Sequence, residues 1–168
     1  MMKIQLVDRD PRMCHFWEEE FDGENNVSIH CVDFFHLPTD CVVSPANSFG
    51  FMDGSLDLAI SRKLGWKVQK KLQQQIRDDH DGELLVGQAE LVETENDEIP
   101  YCISAPTMRV PMILKDTPNA YLASKAIFKI LISKILYPSF SLHTRINIST
   151  VRLPLLIHRQ TRPPGLFW

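Results

Sequence analysis

The chain has 168 residues with 18 basic and 21 acidic side chains, a formal net charge of −3 that suits one soluble domain around one hydrophobic core. An apolar content of 44% argues against wholesale disorder, and the longest apolar stretch, AIFKILISKIL, is interrupted by Lys129 and Lys134, which excludes it as a membrane span. The average conceals an asymmetry: residues 1–98 carry 20 acids and 9 bases, a sum of −11, whereas residues 99–168 carry 9 bases and the single acid Asp116, a sum of +8. Six of the seven glycines lie between Gly23 and Gly87 and the last is Gly165, so a glycine-rich loop is excluded in between.

Along the chain, apolar runs bounded by turn residues alternate with amphipathic stretches. Lys3 to Val7 reads as a short strand, after which Asp10 as N-cap and Pro11 as the first helical residue open a helix through HFWEEEF. Val27 to Val32 and Cys41 to Ser44 read as strands buried on both faces, each ending at a polar residue, Asp33 and Ser44. Ser55 to Gly65 and Gly65 to His80 read as helices, with Trp66, Val68, Leu72 and Ile76 on one face of the second. Ala89 to Thr94 and Tyr101 to Ala105 are strands joined by an acidic turn, Thr117 and Pro118 begin a helix through NAYLASKAIFKILISKIL, and a last strand falls at about Asn147 to Leu153. The alternation implies one α/β domain with a largely parallel sheet.

Cys14, Cys31, Cys41 and Cys102 sit in apolar surroundings without a C-x-x-C pair, and are read as free, buried thiols in a reducing compartment. The N-terminus lacks a small-residue cleavage signature, so the chain is read as unsecreted and cytoplasmic. His15, His30, His36 and His80 show no metal-ligand or Cys-His spacing and are read as structural; no metal or other cofactor is expected.

The segment CVDFFHLPTDCVVSPANSFGFMDGSLDLAI carries the chemistry: a strand ending near an acid, a second strand, and a loop of small residues entering a helix. Ligands of open α/β sheets sit at such strand ends, and a helix N-terminus favours an anion, so a phosphate fits here. Each residue also has a plain structural reading. Asp33 and Asn47 are common in Asx-turns, and Asp57 suits a first helical turn by its charge alone. Phe49 and Phe51 are expected to pack under the loop, and Lys67, Lys70 and Lys71 to form a solvated helix face.

These residues resemble the macrodomains, a family that binds ADP-ribose and in some branches hydrolyses ADP-ribosyl groups. The family pattern is an Asp after a strand, then Asn-Ala-Ala-Asn, a glycine-rich loop, and Val-Asp-Gly-Ala-Ile at a helix start; VSPANSFGFMDGSLDLAI aligns with it without gaps. The resemblance implies a three-layer α/β/α fold with a mixed, largely parallel sheet, a core over residues 1–138, and a divergent segment over 139–168 within the same domain. It implies that Asp33 accepts from the adenine amine while the Phe34 N–H serves the ring or phosphates. Ala46 and Asn47 border the distal ribose, Gly54, Ser55 and Leu56 cradle the diphosphate with their N–H groups, and Asp57 orients or deprotonates a water. Asn47 and Asp57 are thus the implied catalytic pair, with binding of ADP-ribose, hydrolysis of ADP-ribosyl groups, and a ligand-free interaction module as the three readings.

Three departures accompany the match. Ser44 and Pro45 replace the first Asn and the following Ala, and Met52, Asp53, Gly54 and Ser55 replace the glycine run; Asp53 is expected to point outward or cap the helix. After the final strand the family continues into a second glycine-rich phosphate loop, where this chain has LLIHRQTRPPGLFW. Arg152, Arg159 and Arg162 are candidates to neutralise phosphate there. The segment reads as a divergent terminus, or else as a basic arm for nucleic acid or poly-ADP-ribose.

Overall fold

The computed structural model describes residues 2–136 and 148–154. Its elements are β1 (Lys3–Asp8), α1 (Pro11–Glu20), β2 (Val27–Cys31), β3 (Cys41–Ser44), α2 (Ser55–Leu64), α3 (Lys67–Asp79), β4 (Glu90–Glu93), β5 (Tyr101–Ser104), α4 (Asn119–Leu136) and β6 (Thr150–Leu153). The strands form one sheet in the order β2-β1-β6-β3-β5-β4, in which only β4 runs antiparallel to its neighbour. The final strand therefore lies inside the sheet, with Ile4 and Cys41 flanking Val151 in register.

Period-two alternation divides the apolar residues between two cores. Val43, Ile103 and Val151 point to one face, against Trp17 of α1 and Ala123, Ile127 and Leu131 of α4. Val42 and Cys102 point to the other, against Leu56 and Ile60 of α2 and Val68, Leu72 and Ile76 of α3. This is the expected α/β/α arrangement, with each fully buried Leu or Ile contributing about 1.5–3 kcal/mol. Asp10 caps α1 by accepting from the Arg12 N–H at 3.0 Å, with Pro11 in the first turn. Gly65, at φ +90°, breaks α2 from α3.

Three expectations need correction. Strand β3 is wholly buried, but β2 is the sheet edge and only half-buried, because one of its sides has no neighbouring strand. Cys31, at its end, is exposed and not buried. Trp66 precedes the first turn of α3 and is 48% exposed, leaving Val68, Leu72 and Ile76 as the buried face. Arg159, Arg162 and the rest of the basic arm lie outside the described residues, among which no helix is long and apolar enough to cross a membrane.

Candidate functional site at the carboxyl edge of the sheet

Five strands run parallel, so Asp8, Cys31, Ser44, Ser104 and Leu153 end on one edge of the sheet. The loops and the helix start that leave this edge carry the site residues of the 33–57 segment. Asp33 and Phe34 follow β2, Ala46 and Asn47 follow β3, and Gly54 to Asp57 begin α2.

Asp33 closes an Asx-turn. Its Oδ1 accepts from the Phe35 N–H at 2.9 Å, its carbonyl accepts from the His36 N–H at 3.0 Å, and its Oδ2 pairs with Arg9 from the end of β1. The Phe35 amide, with further help from Arg9, outweighs burial and holds this carboxyl below the usual aspartate range. The ion pair is exposed on both sides and contributes little by itself.

The loop after Phe34 is held from beneath by Arg152. This β6 side chain is fully buried; its guanidinium donates to Gln5 Oε1 at 2.9 and 3.1 Å and to the carbonyls of Phe34, Leu37 and Pro38, and it lies 5.7 Å from the centre of the Phe34 ring. Burial lowers its pKa to about 10, against an opposing pull from Asp33. Arg152 is thus not a surface group waiting for a phosphate, as its sequence context suggested. A charged residue between the apolar Val151 and Leu153 of a strand was the available signal, since a central strand admits one only with partners built around it.

Asn47 braces its own loop. Its Oδ1 accepts from the N–H groups of Phe49 at 3.0 Å and Phe51 at 3.3 Å, and its Nδ2 donates to the Phe51 carbonyl at 2.9 Å. The loop is further tied to the segment after β5, where Ser48 N–H donates to the Arg109 carbonyl at 3.2 Å and Thr107 Oγ1 to the Pro45 carbonyl at 3.3 Å. Ala46 is buried beneath this loop. Of the two phenylalanines expected beneath the loop, Phe51 is 52% exposed, while Phe49 is half-buried with the Arg109 guanidinium 5.2 Å above its ring. Both border a cleft of about 310 Å³ with Gln73, Ile76, Arg77 and Gly82, apart from Asn47 and Asp57.

At the start of α2, Gly54 is the N-cap in an extended conformation without a side-chain capping bond, and Ser55 takes φ +52°. Gly54 and Ser55 are exposed whereas the Leu56 side chain is buried, so the turn is anchored from below and open above. Such an end of a helix suits an anion. Asp53 is exposed, as expected, and does not cap the helix. Asp57, in the first turn, is half-buried and accepts from Ser44 Oγ at 2.5 Å. Beneath it Cys102 is pushed far above the ordinary thiol range, by burial first and then by the Asp57 charge. Ser104, the register partner of Ser44, is fully buried with no hydrogen-bond partner for its hydroxyl. The role of Ser44 was missed because it was read only as a substituted Asn; a hydroxyl closing a strand that feeds an acidic helix start was the signal.

Among the described residues no three His, Cys, Asp or Glu are grouped to hold a metal ion. His80 instead contacts Glu90 Oε2 at 2.9 Å and His30 contacts Ser28 Oγ at 3.0 Å.

The fold is similar to that of the macrodomain of Mycobacterium tuberculosis DarG, with a TM-score of 0.57 and 20% identity over 82% of this chain and 78% of that one. It is also similar to an Oceanobacillus iheyensis macrodomain with MES bound, at 0.53 and 16% over 77% and 82%. The macrodomain of Thermus aquaticus DarG gives 0.53 and 15% over 80% and 78%. No curated protein matches. The family model of the Macro domain matches residues 43–152, from the middle of β3 into β6 and through the whole Ser44–Asp57 segment. With this match on a three-layer α/β/α fold, the chain belongs to the macrodomain family.

Proposed function

We propose that this chain binds ADP-ribose, free or as a terminal ADP-ribosyl group, in the crevice at the carboxyl edge of its sheet. The observation that carries the reading is the family match through Ser44–Asp57 on a fold whose parallel strands direct Asp33, Asn47 and the start of α2 to one edge. The adenine amine donates to Asp33, whose exposed pairing with Arg9 is weak enough to exchange, and the Phe34 N–H faces the ring or phosphates. The N–H groups of Gly54, Ser55 and Leu56 and the α2 dipole take the diphosphate. The distal ribose lies over Ala46 and Asn47.

Hydrolysis of an ADP-ribosyl linkage is the second reading, favoured by the Ser44–Asp57 hydrogen bond, which fixes a carboxylate where it could orient a water. Calorimetry with ADP-ribose tests binding, and turnover of a mono-ADP-ribosylated protein by wild type against Asp57→Ala tests hydrolysis. Heat of binding without turnover establishes a reader. A ligand at about a hundredfold its Kd must raise stability by about 2.7 kcal/mol, so an unchanged Tm in excess ADP-ribose rejects both readings and leaves an interaction module.

A further inference from the structure

Two of the four cysteines come together beside the Asp33 loop, on different elements. Cys14 lies in the first half of α1 and directs its Sγ to the Asp8 carbonyl at 3.6 Å; Cys31 ends β2 and directs its Sγ to the next carbonyl, that of Arg9, at 4.0 Å. Asp8 is itself the register partner of Cys31, so the end of β1 is gripped by one thiol from the helix above and one from the strand beside it. The two sulfurs thus sit against consecutive carbonyls of one chain turn, and the Cys14 thiol is raised to about 12 by burial first and then by the neighbouring Cys31 thiol. Cys31 is exposed and Cys14 buried, which gives them unequal access to a solvent oxidant.

The other pair lacks this relation. Cys41 and Cys102 stand on neighbouring strands one register step apart, with Cys41 in the α1/α4 core and Cys102 in the α2/α3 core, so the sheet lies between their side chains.

We propose that Cys14 and Cys31 form an oxidation site, at which a hydroperoxide converts the two thiols into an intramolecular disulfide joining α1 to the end of β2. The Cys31 thiolate attacks a peroxide oxygen, breaking the O–O bond and releasing hydroxide, or alkoxide from an alkyl peroxide, and becomes a sulfenic acid. The Cys14 sulfur then attacks the Cys31 sulfur; the S–O bond breaks, the S–S bond forms, the Cys14 proton is lost and water leaves. Two thiols lose two electrons and two protons, and one hydrogen peroxide becomes two waters. Cys14 is a poor nucleophile in bulk terms because it stays protonated, and its placement against Cys31 compensates by making the second step intramolecular. The bridge tethers the strand end that leads, two residues later, into Asp33.

The test uses the reduced full chain under native conditions with hydrogen peroxide as the probe, and needs no ADP-ribose, so it stands apart from the proposed ligand. Titratable thiols should fall from four to two, the intact mass should drop by two hydrogen atoms, and peptide mapping should join Cys14 to Cys31. Cys31→Ser should keep its three thiols at the same peroxide dose, and Cys14→Ser and Cys14→Ala should accumulate a dimedone-reactive sulfenic acid at Cys31 that wild type does not. Retention of four thiols, a stable sulfenic acid in wild type, or a linkage mapping to any other pair or between chains overturns the proposal.

Discussion

Ser44 donates its hydroxyl hydrogen to Asp57 Oδ1 at 2.5 Å, joining the end of β3 to the first turn of α2. The bond has a structural side and a chemical side, and they separate by substitution. Asp57→Asn keeps an oxygen for Ser44 and should cost under about 1 kcal/mol, whereas Asp57→Ala leaves the buried Ser44 hydroxyl beside the already unpartnered Ser104 and should cost about 1–3 kcal/mol. If Asp57 acts on water, both variants lose turnover of a mono-ADP-ribosylated protein alike. Urea denaturation and single-turnover assays on the same two variants read the two effects; turnover retained in Asp57→Asn assigns Asp57 to structure alone.

Gly50 sets the shape of the loop that Asn47 braces. It takes φ +67°, and a Cβ there would lie 2.9 Å from Ile76 Cδ1 and 3.1 Å from Leu72 Cγ in the α3 core. Strain and overpacking act together, so Gly50→Ala should cost about 2–4 kcal/mol by chemical denaturation. Asn47→Ala removes three loop hydrogen bonds without overpacking and should cost about 1–2 kcal/mol. Asn47→Asp keeps the acceptor for the Phe49 and Phe51 N–H groups but faces the Phe51 carbonyl with an oxygen, so it should recover only part of that loss. ADP-ribose affinity that falls in step with loop stability would make Asn47 a brace; a drop in both variants well beyond the stability loss would make it a ligand.

The parts of this molecule legible in its sequence are those decided locally. CVVS is a strand with the expected ends, and Asp10 followed by Pro11 starts α1, because turn residues and caps act within a few positions. The spacing from Asn47 to Asp57 marked the family for the same reason, since one loop and one helix start contain it. What escaped depends on where a segment sits in the sheet. Nothing within VSIHC says that β2 is an edge, yet that placement exposes Cys31. Nothing near Arg152 says that Gln5 and the carbonyls of residues 34, 37 and 38, more than a hundred positions away, converge on it.

Arg152 couples the centre of the sheet to the loop bearing Asp33 and Phe34. Arg152→Met keeps bulk but leaves Gln5 Oε1 and three loop carbonyls without their donor, and should cost about 3–5 kcal/mol. Arg152→Lys retains a cation but cannot span these acceptors with one ammonium, and should lie between Met and wild type. Both should weaken ADP-ribose binding more than they perturb α3, which hydrogen exchange at amides 67–79 can report. Equal loss of protection in α3 and in residues 34–38 would show that Arg152 supports the whole domain and not this loop.

Acid should destabilise the chain in two separate windows. His30 is held below its ordinary pKa by burial and then by the Arg152 charge, so the folded state binds a proton less readily than the unfolded chain, and stability falls as pH drops below about 6.5. Asp40 works in the carboxylate range. Burial would raise its pKa, but the Ser149 hydroxyl at 2.5 Å and the Ser149 and Thr150 N–H groups at 2.8 and 2.9 Å outweigh that and depress it. Its contribution is present above the unfolded aspartate value of about 3.9 and is lost as pH falls through the lower folded value. Asp33 adds in the same direction, reduced by its exposure. Urea midpoints measured from pH 7.5 to 3 should therefore fall first near pH 6 and again below about pH 4. His30→Gln should flatten only the first step, whereas Asp40→Asn should lower stability at neutral pH and flatten the second, because it removes the charge that anchors the start of β6. A second step unchanged in Asp40→Asn would shift that role to other carboxylates.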